Sequence, residues 1–234
     1  MFESVEMLAS DKHQDLRFSP SASFAFAKDV SAAPLSVSEI IPASRYYPIV
    51  FPSDGGGGPL ALLSLQNKHN NFVDDQGKWQ VSYIPAHFRR YPFILAPGKA
   101  EEAGEGEAGE EKFVVCIDTA APHFKAELGD PLFTANGEPA EITRKAIEFL
   151  QNFQNEVKQC QNISAKFAEQ DCFSLKKINL KVGDEVKPAG EFKVPDSGKL
   201  PNLSDEVLLE WARSGILALF YAMSFSAANF DRLV

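Results

Sequence analysis

The feature that most constrains the fold of this sequence is an apolar pattern between Glu138 and Glu169 that repeats every three or four residues. Its members are Ile142, Ala146, Phe149, Phe153, Val157, Cys160, Ile163 and Phe167. Because an α-helix has 3.6 residues per turn, this spacing places all of them on one face of a single helix. Pro139 suits the first turn of that helix. The sequence therefore predicts a long amphipathic helix that needs a second layer of structure to cover its apolar face.

A second helix is predicted to begin after Ser204, which suits the N-cap position and precedes Asp205 and Glu206 in the first turn. One face of this helix carries Leu208, Trp211, Ala212, Gly215, Leu219, Ala222 and Met223. The other faces are also largely apolar, since they carry Ile216, Phe220 and Phe225. We expect such a helix to lie in the core or to be covered by a partner.

Two hairpins are predicted from short apolar runs that flank turn residues. Residues 49–51 and 60–65 are apolar runs on either side of a glycine-rich loop. Residues 175–194 alternate apolar and polar side chains around the turn residues Gly183 and Asp184. Each pattern is typical of two antiparallel strands.

Further strands are predicted at residues 23–27, where Phe24 and Phe26 alternate with smaller residues, and at residues 113–117. The latter run is apolar on both faces, as in a central strand, and Asp118 stands at its carboxyl end. The prediction is an α+β fold: a single domain over residues 1–234, with a mixed, mostly antiparallel sheet packed against two long helices.

The composition is that of a folded soluble domain, with 44% hydrophobic and 24% charged residues. The formal net charge is −9, and segment 101–111 holds six glutamates with no lysine or arginine. Because that segment has no large apolar side chain to bury, it is predicted to be an acidic flexible loop. An acidic chain without clustered lysine and arginine is not expected to bind nucleic acid.

The amino-terminal residues favour a cytoplasmic location. The chain begins Met-Phe-Glu-Ser-Val-Glu-Met, which is acidic where a secretory signal would be basic. The longest uncharged apolar run, residues 215–229, is shorter than the ~20 residues that span a bilayer, so no membrane span is predicted. Export by a route without a recognised signal stays open.

No complete catalytic, metal-binding or cofactor-binding signature is present. Cys116, Asp118 and His123 lie within eight residues and could supply a nucleophile, an acid and a base, but a cysteine inside an apolar strand is usually an inert core thiol. The four histidines show no i, i+4 pair and no Cys-x-x-Cys companion. We therefore predict no catalytic residue, no metal and no cofactor.

A binding surface is predicted instead where arginines, acids and aromatic residues concentrate. Arginine forks and aromatic faces bind carboxylates, phosphates and peptide segments, although the same residues often pack within their own domain. The predicted binding residues are Tyr46, Tyr47, Asp74, Trp79, Tyr83, Arg89, Arg90, Tyr91 and Asp118.

Across nearly its whole length the chain resembles the SapC-like family of bacterial proteins. The blocks that carry the resemblance are residues 12–17 (KHQDLR), 47–51 (YPIVF), 61–65 (ALLSL), 71–74 (NFVD) with Gly77 and Trp79, 83–86 (YIPA), 89–93 (RRYPF), 116–118 (CID), 131–133 (PLF), Tyr221, Ala222 and Asn229. Two features depart from the family pattern. Segment 101–111 looks like a lengthened variable loop, and Met223 stands where the pattern often has histidine.

The resemblance implies a non-enzymatic accessory or binding protein of a bacterial surface-layer or nutrient-uptake system. Relatives are often encoded beside flavin-dependent halogenase-like proteins, cupin-like proteins and TonB-dependent outer-membrane receptors, so a flavin-dependent halogenase-like protein is one candidate partner. One alternative is an enzyme or enzyme subunit that works with such a flavin protein and uses Asp74, Asp118, His87 or His123 as proton carriers. Another is a structural surface-layer component. The oligomeric state is left open.

Overall fold

The computed structural model describes residues 1–21, 23–54, 56–98, 113–124, 128–182 and 185–233. The predicted acidic loop 101–111 and the predicted turn at Gly183 and Asp184 lie outside these residues. The strands of the described part are β1 (Val5–Met7), β2 (Arg17–Phe18), β3 (Ala32–Pro34), β4 (Ile49–Pro52), β5 (Leu60–Leu62), β6 (Phe93–Pro97), β7 (Phe113–Asp118), β8 (Asp130–Pro131), β9 (Phe173–Val182) and β10 (Glu185–Pro195). The α-helices are α1 (Ser10–His13), α2 (Ile40–Ser44), α3 (Ala86–Arg89), α4 (Glu141–Glu169), α5 (Asp205–Ser214) and α6 (Ile216–Phe225).

The strands form three antiparallel sheets. Their orders are β3-β5-β4-β10-β9, β1-β7-β6 and β2-β8. The predicted α+β class with antiparallel pairing is confirmed, and the strands before residue 120 divide among the three sheets.

Both predicted hairpins belong to the five-stranded sheet. Strands β4 and β5 pair antiparallel with Val50 opposite Leu60, so the glycine-rich residues between them connect the two strands of a hairpin. The β9–β10 hairpin joins the same sheet where Lys193 of β10 lies opposite Phe51 of β4. The side chains of Ile49, Val50 and Phe51 are buried, as expected for an apolar central strand.

Strand β7 is the centre of the three-stranded sheet, as its apolar sequence predicts. It pairs with β1, where Val5 lies opposite Asp118, and with β6, where Leu95 lies opposite Val115. This register places the carboxyl end of β7 beside the first residues of the chain.

Helix α4 is the long amphipathic helix predicted from the apolar spacing. Leu150, Phe153, Cys160 and Phe167 on its apolar face are buried. The face packs over two hydrophobic clusters, one that includes Phe167 and one that includes Leu150. Met1 and Phe26 pack against both clusters.

The C-terminal segment predicted as one helix is two helices, α5 and α6. Ser204 caps α5 as predicted, because its hydroxyl accepts the Val207 N–H at 3.3 Å. The break occurs at Gly215, whose φ of 80° lies in the left-handed region that glycine adopts most readily. The chain turns by 88° there.

Helix α6 is a core helix with one exposed face. Ile216, Phe220 and Met223 are buried, whereas Tyr221 and Phe225 are exposed and stack with ring centroids 5.7 Å apart.

The prediction of a strand at 23–27 is wrong, since Ala25–Ala27 forms a 3-10 turn instead.

Candidate functional site

The segment 83–93 carries four of the predicted binding residues and folds around the short helix α3. Pro85 is the N-cap of this helix. The Arg89 and Arg90 side chains leave the end of α3 toward α4, while Tyr83 and Tyr91 flank the helix on either side. The segment thus places the predicted residues in two separate clusters, and Arg89 also reaches the surface.

A buried carboxylate that sequence reasoning missed, Glu39, organises the first part. Its side chain is 2% exposed and accepts hydrogen bonds from the Ser36 N–H at 3.0 Å, from the Tyr83 hydroxyl at 3.0 Å and from the Ala86 N–H. Its Oε1 lies 3.7 Å from Nη2 of Arg89. The one sequence signal for Glu39 is Ser36-x-x-Glu39, a capping box that predicts the start of a helix and no longer-range contact.

Tyr47 and Trp79 extend this cluster into the core. Tyr47 is 0% exposed, and its hydroxyl accepts the Trp79 Nε1–H at 2.9 Å and donates to the Tyr83 carbonyl. Burial raises the pKa of Tyr47 above its ordinary value, and burial followed by the charge of Glu39 does the same for Tyr83. Both hydroxyls therefore stay protonated at physiological pH and serve as hydrogen-bond donors within the fold.

Arg89 is the part of this cluster that reaches the surface. Its side chain is 44% exposed, and Nε donates to the Ile84 carbonyl at 3.0 Å. The guanidinium carbon lies 5.4 Å from the ring centroid of Phe149 and 6.0 Å from that of Tyr83. These contacts hold the cation in a defined position at the corner where α3 meets α4.

Arg90 turns inward. Its guanidinium carbon lies 5.8 Å from the ring centroid of Phe2 and 5.5 Å from that of Phe153, and burial lowers its pKa. Burial, then the charge of Arg90, lowers the pKa of His87 to about 3. His87 is therefore neutral at physiological pH and too weak a base to accept a proton there.

Tyr91 and Asp118 form a second, separate cluster. Asp118 is 0% exposed and accepts four hydrogen bonds from described residues: from the N–H groups of Glu3, Ser4 and Ala120 at 3.0, 2.9 and 3.2 Å, and from the Tyr91 hydroxyl at 3.0 Å. Burial alone would raise the pKa of Asp118, but these donors outweigh burial and leave the pKa below its usual range. Burial and the Asp118 carboxylate raise the pKa of Tyr91.

The remaining predicted binding residues are Asp74 and Tyr46. Asp74 stabilises its own turn, since its carboxylate accepts the N–H groups of Gln76 and Lys78 and the Gln80 amide. Tyr46 is half-buried, and its ring lies 6.4 Å from that of Tyr47.

Of the residues considered for a catalytic trio, Asp118 and His123 both contact Tyr91. The His123 ring lies 5.2 Å from the Tyr91 ring and stacks on Phe18 at 5.7 Å. His123 is buried, its pKa is lowered by that burial, and its Nδ1 has no hydrogen-bond partner among the described residues. Cys116 is also buried, on β7.

Three cavities lined by described residues have volumes of about 290, 170 and 520 Å³, and no predicted binding residue lines any of these three. Among the described residues, no three histidine, cysteine, aspartate or glutamate side chains are grouped to hold a metal ion. In the same part of the chain, no single helix has the length and apolar character to cross a bilayer, and Asp205–Ser214 with Ile216–Leu233 meets those criteria only as a pair bent by 88°.

Among known proteins, the chain matches one protein family. No curated protein matches it, and no solved structure does. The family model described as SapC matches residues 8–233, which include the 83–93 segment and both buried carboxylates. Because that match spans nearly the whole sequence, the chain belongs to the SapC family.

Proposed function

We propose that this SapC-family chain is a non-enzymatic accessory protein of a bacterial surface-layer or nutrient-uptake system, and that it binds an acidic group of a protein partner through Arg89. The candidate partner to examine first is a flavin-dependent halogenase-like protein. A cytoplasmic location for this interaction is part of the proposal.

The observation that carries the proposal is the state of the Arg89 guanidinium. Among the described residues, the Arg89 Nε–H donates to the Ile84 carbonyl and Nη2 lies 3.7 Å from Oε1 of Glu39, so the Nη1 side of the guanidinium is the part left for an outside acceptor. Contacts with Phe149 and Tyr83 fix the plane of the group, and 44% of the side chain is exposed. A fixed, partly exposed arginine fork suits two-point binding of a carboxylate.

The proposal assigns recognition to Arg89 and a packing role to Arg90. Arg90 is enclosed by Phe2 and Phe153 and has its Nε and Nη2 near His87. Reversing its charge would place a carboxylate between those rings, so loss of binding in an Arg90 variant would not separate recognition from folding.

An enzyme or enzyme subunit is the weaker alternative, because the proposed proton carriers do not converge on a described cavity. The Asp74 carboxylate accepts hydrogen bonds within its own turn, the Asp118 carboxylate accepts four hydrogen bonds from described residues, and His87 is neutral. His123 is buried against the rings of Tyr91 and Phe18 and lines none of the three cavities. A structural surface-layer component is the other alternative. It predicts ordered self-assembly of the purified protein, which electron microscopy would detect.

The test is affinity capture from the native host with wild-type protein and the Arg89→Gln variant, at low and moderate salt. Glutamine avoids placing a second carboxylate next to Glu39. The matched control is Arg213→Gln, since Arg213 is exposed on α5 and has no hydrogen bond or ion pair among the described residues. Circular dichroism and urea denaturation would verify that both variants fold.

We expect one stoichiometric partner to be captured by the wild type and by Arg213→Gln, and lost with Arg89→Gln. Binding of the purified partner should weaken with salt and recover only in part with Arg89→Lys, which keeps the charge but not the fork. Equal capture by the folded Arg89→Gln variant would reject Arg89 as the recognition residue.

A further inference from the structure

The largest of the three cavities is a groove between α4 and the sheet formed by β6 and β7. Its volume is about 520 Å³, within the range of ligand-binding pockets. The described residues that line it are Leu95, Phe113, Val115, Ile147, Gln151, Asn152, Gln154, Asn155 and Lys158. None of these described residues is acidic, although the chain as a whole has a net charge of −9.

The floor of the groove is apolar and comes from the sheet. Leu95 lies opposite Val115, and Phe113 is two residues before Val115, so all three side chains share one face of the sheet. Each is half-buried. The face continues toward Phe93 and Ile117, which are buried in the second hydrophobic cluster, so the groove is the open end of that packed layer.

The wall of the groove is polar and comes from α4. Four carboxamide side chains, those of Gln151, Asn152, Gln154 and Asn155, line it, and none makes a hydrogen bond to a described residue. Each carboxamide can both donate and accept. Gln151, Asn155 and Lys158 follow one another at about one helical turn, so polar groups recur along the wall over roughly 10 Å.

Lys158 marks one end of this wall. Its ammonium lies 5.7 Å from the ring centroid of Phe113. That contact covers one face of the ring, so Phe113 is less suited to stack against a sugar or a base. A single cation is also a poor match for a nucleotide polyphosphate, which requires several donors with positive charge.

We propose that this groove binds an extended peptide segment of about three residues that carries a carboxylate at the Lys158 end. The carboxamides of α4 would accept hydrogen bonds from the peptide N–H groups and donate hydrogen bonds to the peptide C=O groups. These two kinds of group alternate along an extended peptide. The apolar floor would receive the side chain that an extended peptide directs toward the sheet, and Lys158 would pair with the carboxylate.

This site is independent of Arg89. At 3.6 residues per turn, Gln151 and Lys158 lie on nearly the opposite side of α4 from Phe149, the residue that contacts Arg89. Peptide binding and partner capture can therefore fail separately.

The experiment is a titration of the whole protein with fluorescein-labelled Val-Thr-Val-Thr-Asp that is amidated at its C-terminus, followed by polarisation. Val-Thr-Val-Thr-Asn, amidated in the same way, tests the carboxylate, and maltotriose tests a sugar as the competing ligand class. The variants are Lys158→Gln and Asn155→Ala, with Gln159→Ala as the control because Gln159 is exposed on the same helix and does not line the groove. Side-chain amide signals in ¹⁵N NMR spectra of the wild type would locate the site without any mutation.

We expect saturable binding of the aspartate peptide, with shifts of the Gln151, Gln154 and Asn155 amide signals. Lys158→Gln should weaken binding of the aspartate peptide by about tenfold and leave the asparagine peptide unchanged, since one charged hydrogen bond is lost. Asn155→Ala should weaken both peptides, and Gln159→Ala neither. Absence of saturable binding, shifts confined to other residues, or displacement of the peptide by maltotriose would overturn the proposal.

Discussion

The hydroxyl of Tyr91 donates a hydrogen bond of 3.0 Å to the buried carboxylate of Asp118. Replacing Tyr91 with phenylalanine removes this donor but keeps the ring that packs on Phe26 and Phe2. We expect Tyr91→Phe to lower the free energy of unfolding by about 2 kcal/mol, as for loss of one bond to a buried charge. Urea denaturation measures the change. The control Tyr46→Phe removes a hydroxyl without a described partner and should cost close to nothing.

The same carboxylate makes stability depend on pH. Because the pKa of Asp118 is lower in the folded protein than the ordinary value of about 3.9, its contribution is fully present above that value and is lost as the pH falls through the lower, folded pKa. The melting temperature should therefore drop below about pH 4 in part through this group. In Asp118→Asn the protein should be less stable at pH 7 and lose less on acidification. An equal acid-induced loss in the variant would contradict this assignment.

Glu39 should contribute to stability through the donors that surround its buried carboxylate. Glutamine at this position keeps the shape but replaces an acceptor oxygen with an NH₂ group that faces the donors of Ser36, Tyr83 or Ala86. We expect Glu39→Gln to cost about 3 kcal/mol in chemical denaturation. Glu148→Gln, at an exposed position of α4 without a described ion pair, should change stability by less than about 0.5 kcal/mol.

Two glycines with the same backbone conformation should respond differently to alanine. Gly77 and Gly215 both have φ of 80°, but a Cβ at Gly215 meets nothing within 4 Å, whereas one at Gly77 would lie 2.2 Å from Oγ of Ser23. Gly215→Ala should cost about 1–2 kcal/mol for the left-handed backbone alone. Gly77→Ala should cost at least about 1 kcal/mol more, and the double variant with Ser23→Ala should recover part of that difference. Thermal denaturation of the three variants would rank them by stability.

Cys160 should resist thiol reagents in the native protein. It is 1% exposed, and burial, followed by the negative charges of Glu156 and Glu39, raises its pKa to about 12. Since the thiolate is the reactive form, we expect negligible modification at pH 8 and rapid modification in urea. Peptide mapping by mass spectrometry would identify the labelled site. Native labelling of Cys160 at the rate of an exposed thiol would show that this part of α4 opens readily.

Features with a local cause were predictable from the sequence. The spacing of apolar residues was sufficient for α4, and glycine-rich residues between apolar runs were sufficient for the β4–β5 hairpin. The break at Gly215 also has a local signal, glycine after the last turn of a helix, but the continuing apolar pattern beyond it favoured one helix.

The arrangement of the predicted binding residues could not be read from the sequence. Tyr83 and Arg89 were identified as binding residues, but the carboxylate between them, Glu39, comes from more than forty residues earlier in the chain. Likewise Tyr91 meets Asp118 only because β6 and β7 pair. No periodicity encodes such contacts, so whether an arginine or tyrosine faces inward or outward was decided by packing and could not be read from the sequence.

The hydrogen bond from the N–H of Ile49 to the hydroxyl of Ser226 joins residues 177 positions apart. Glu3 and Ser4 likewise depend on Asp118, more than a hundred residues away. During synthesis, the apolar strand β4 therefore emerges long before its last partner exists. Residue 226 must leave the ribosome before this contact can form, and until then β4 is exposed to chaperones and to aggregation.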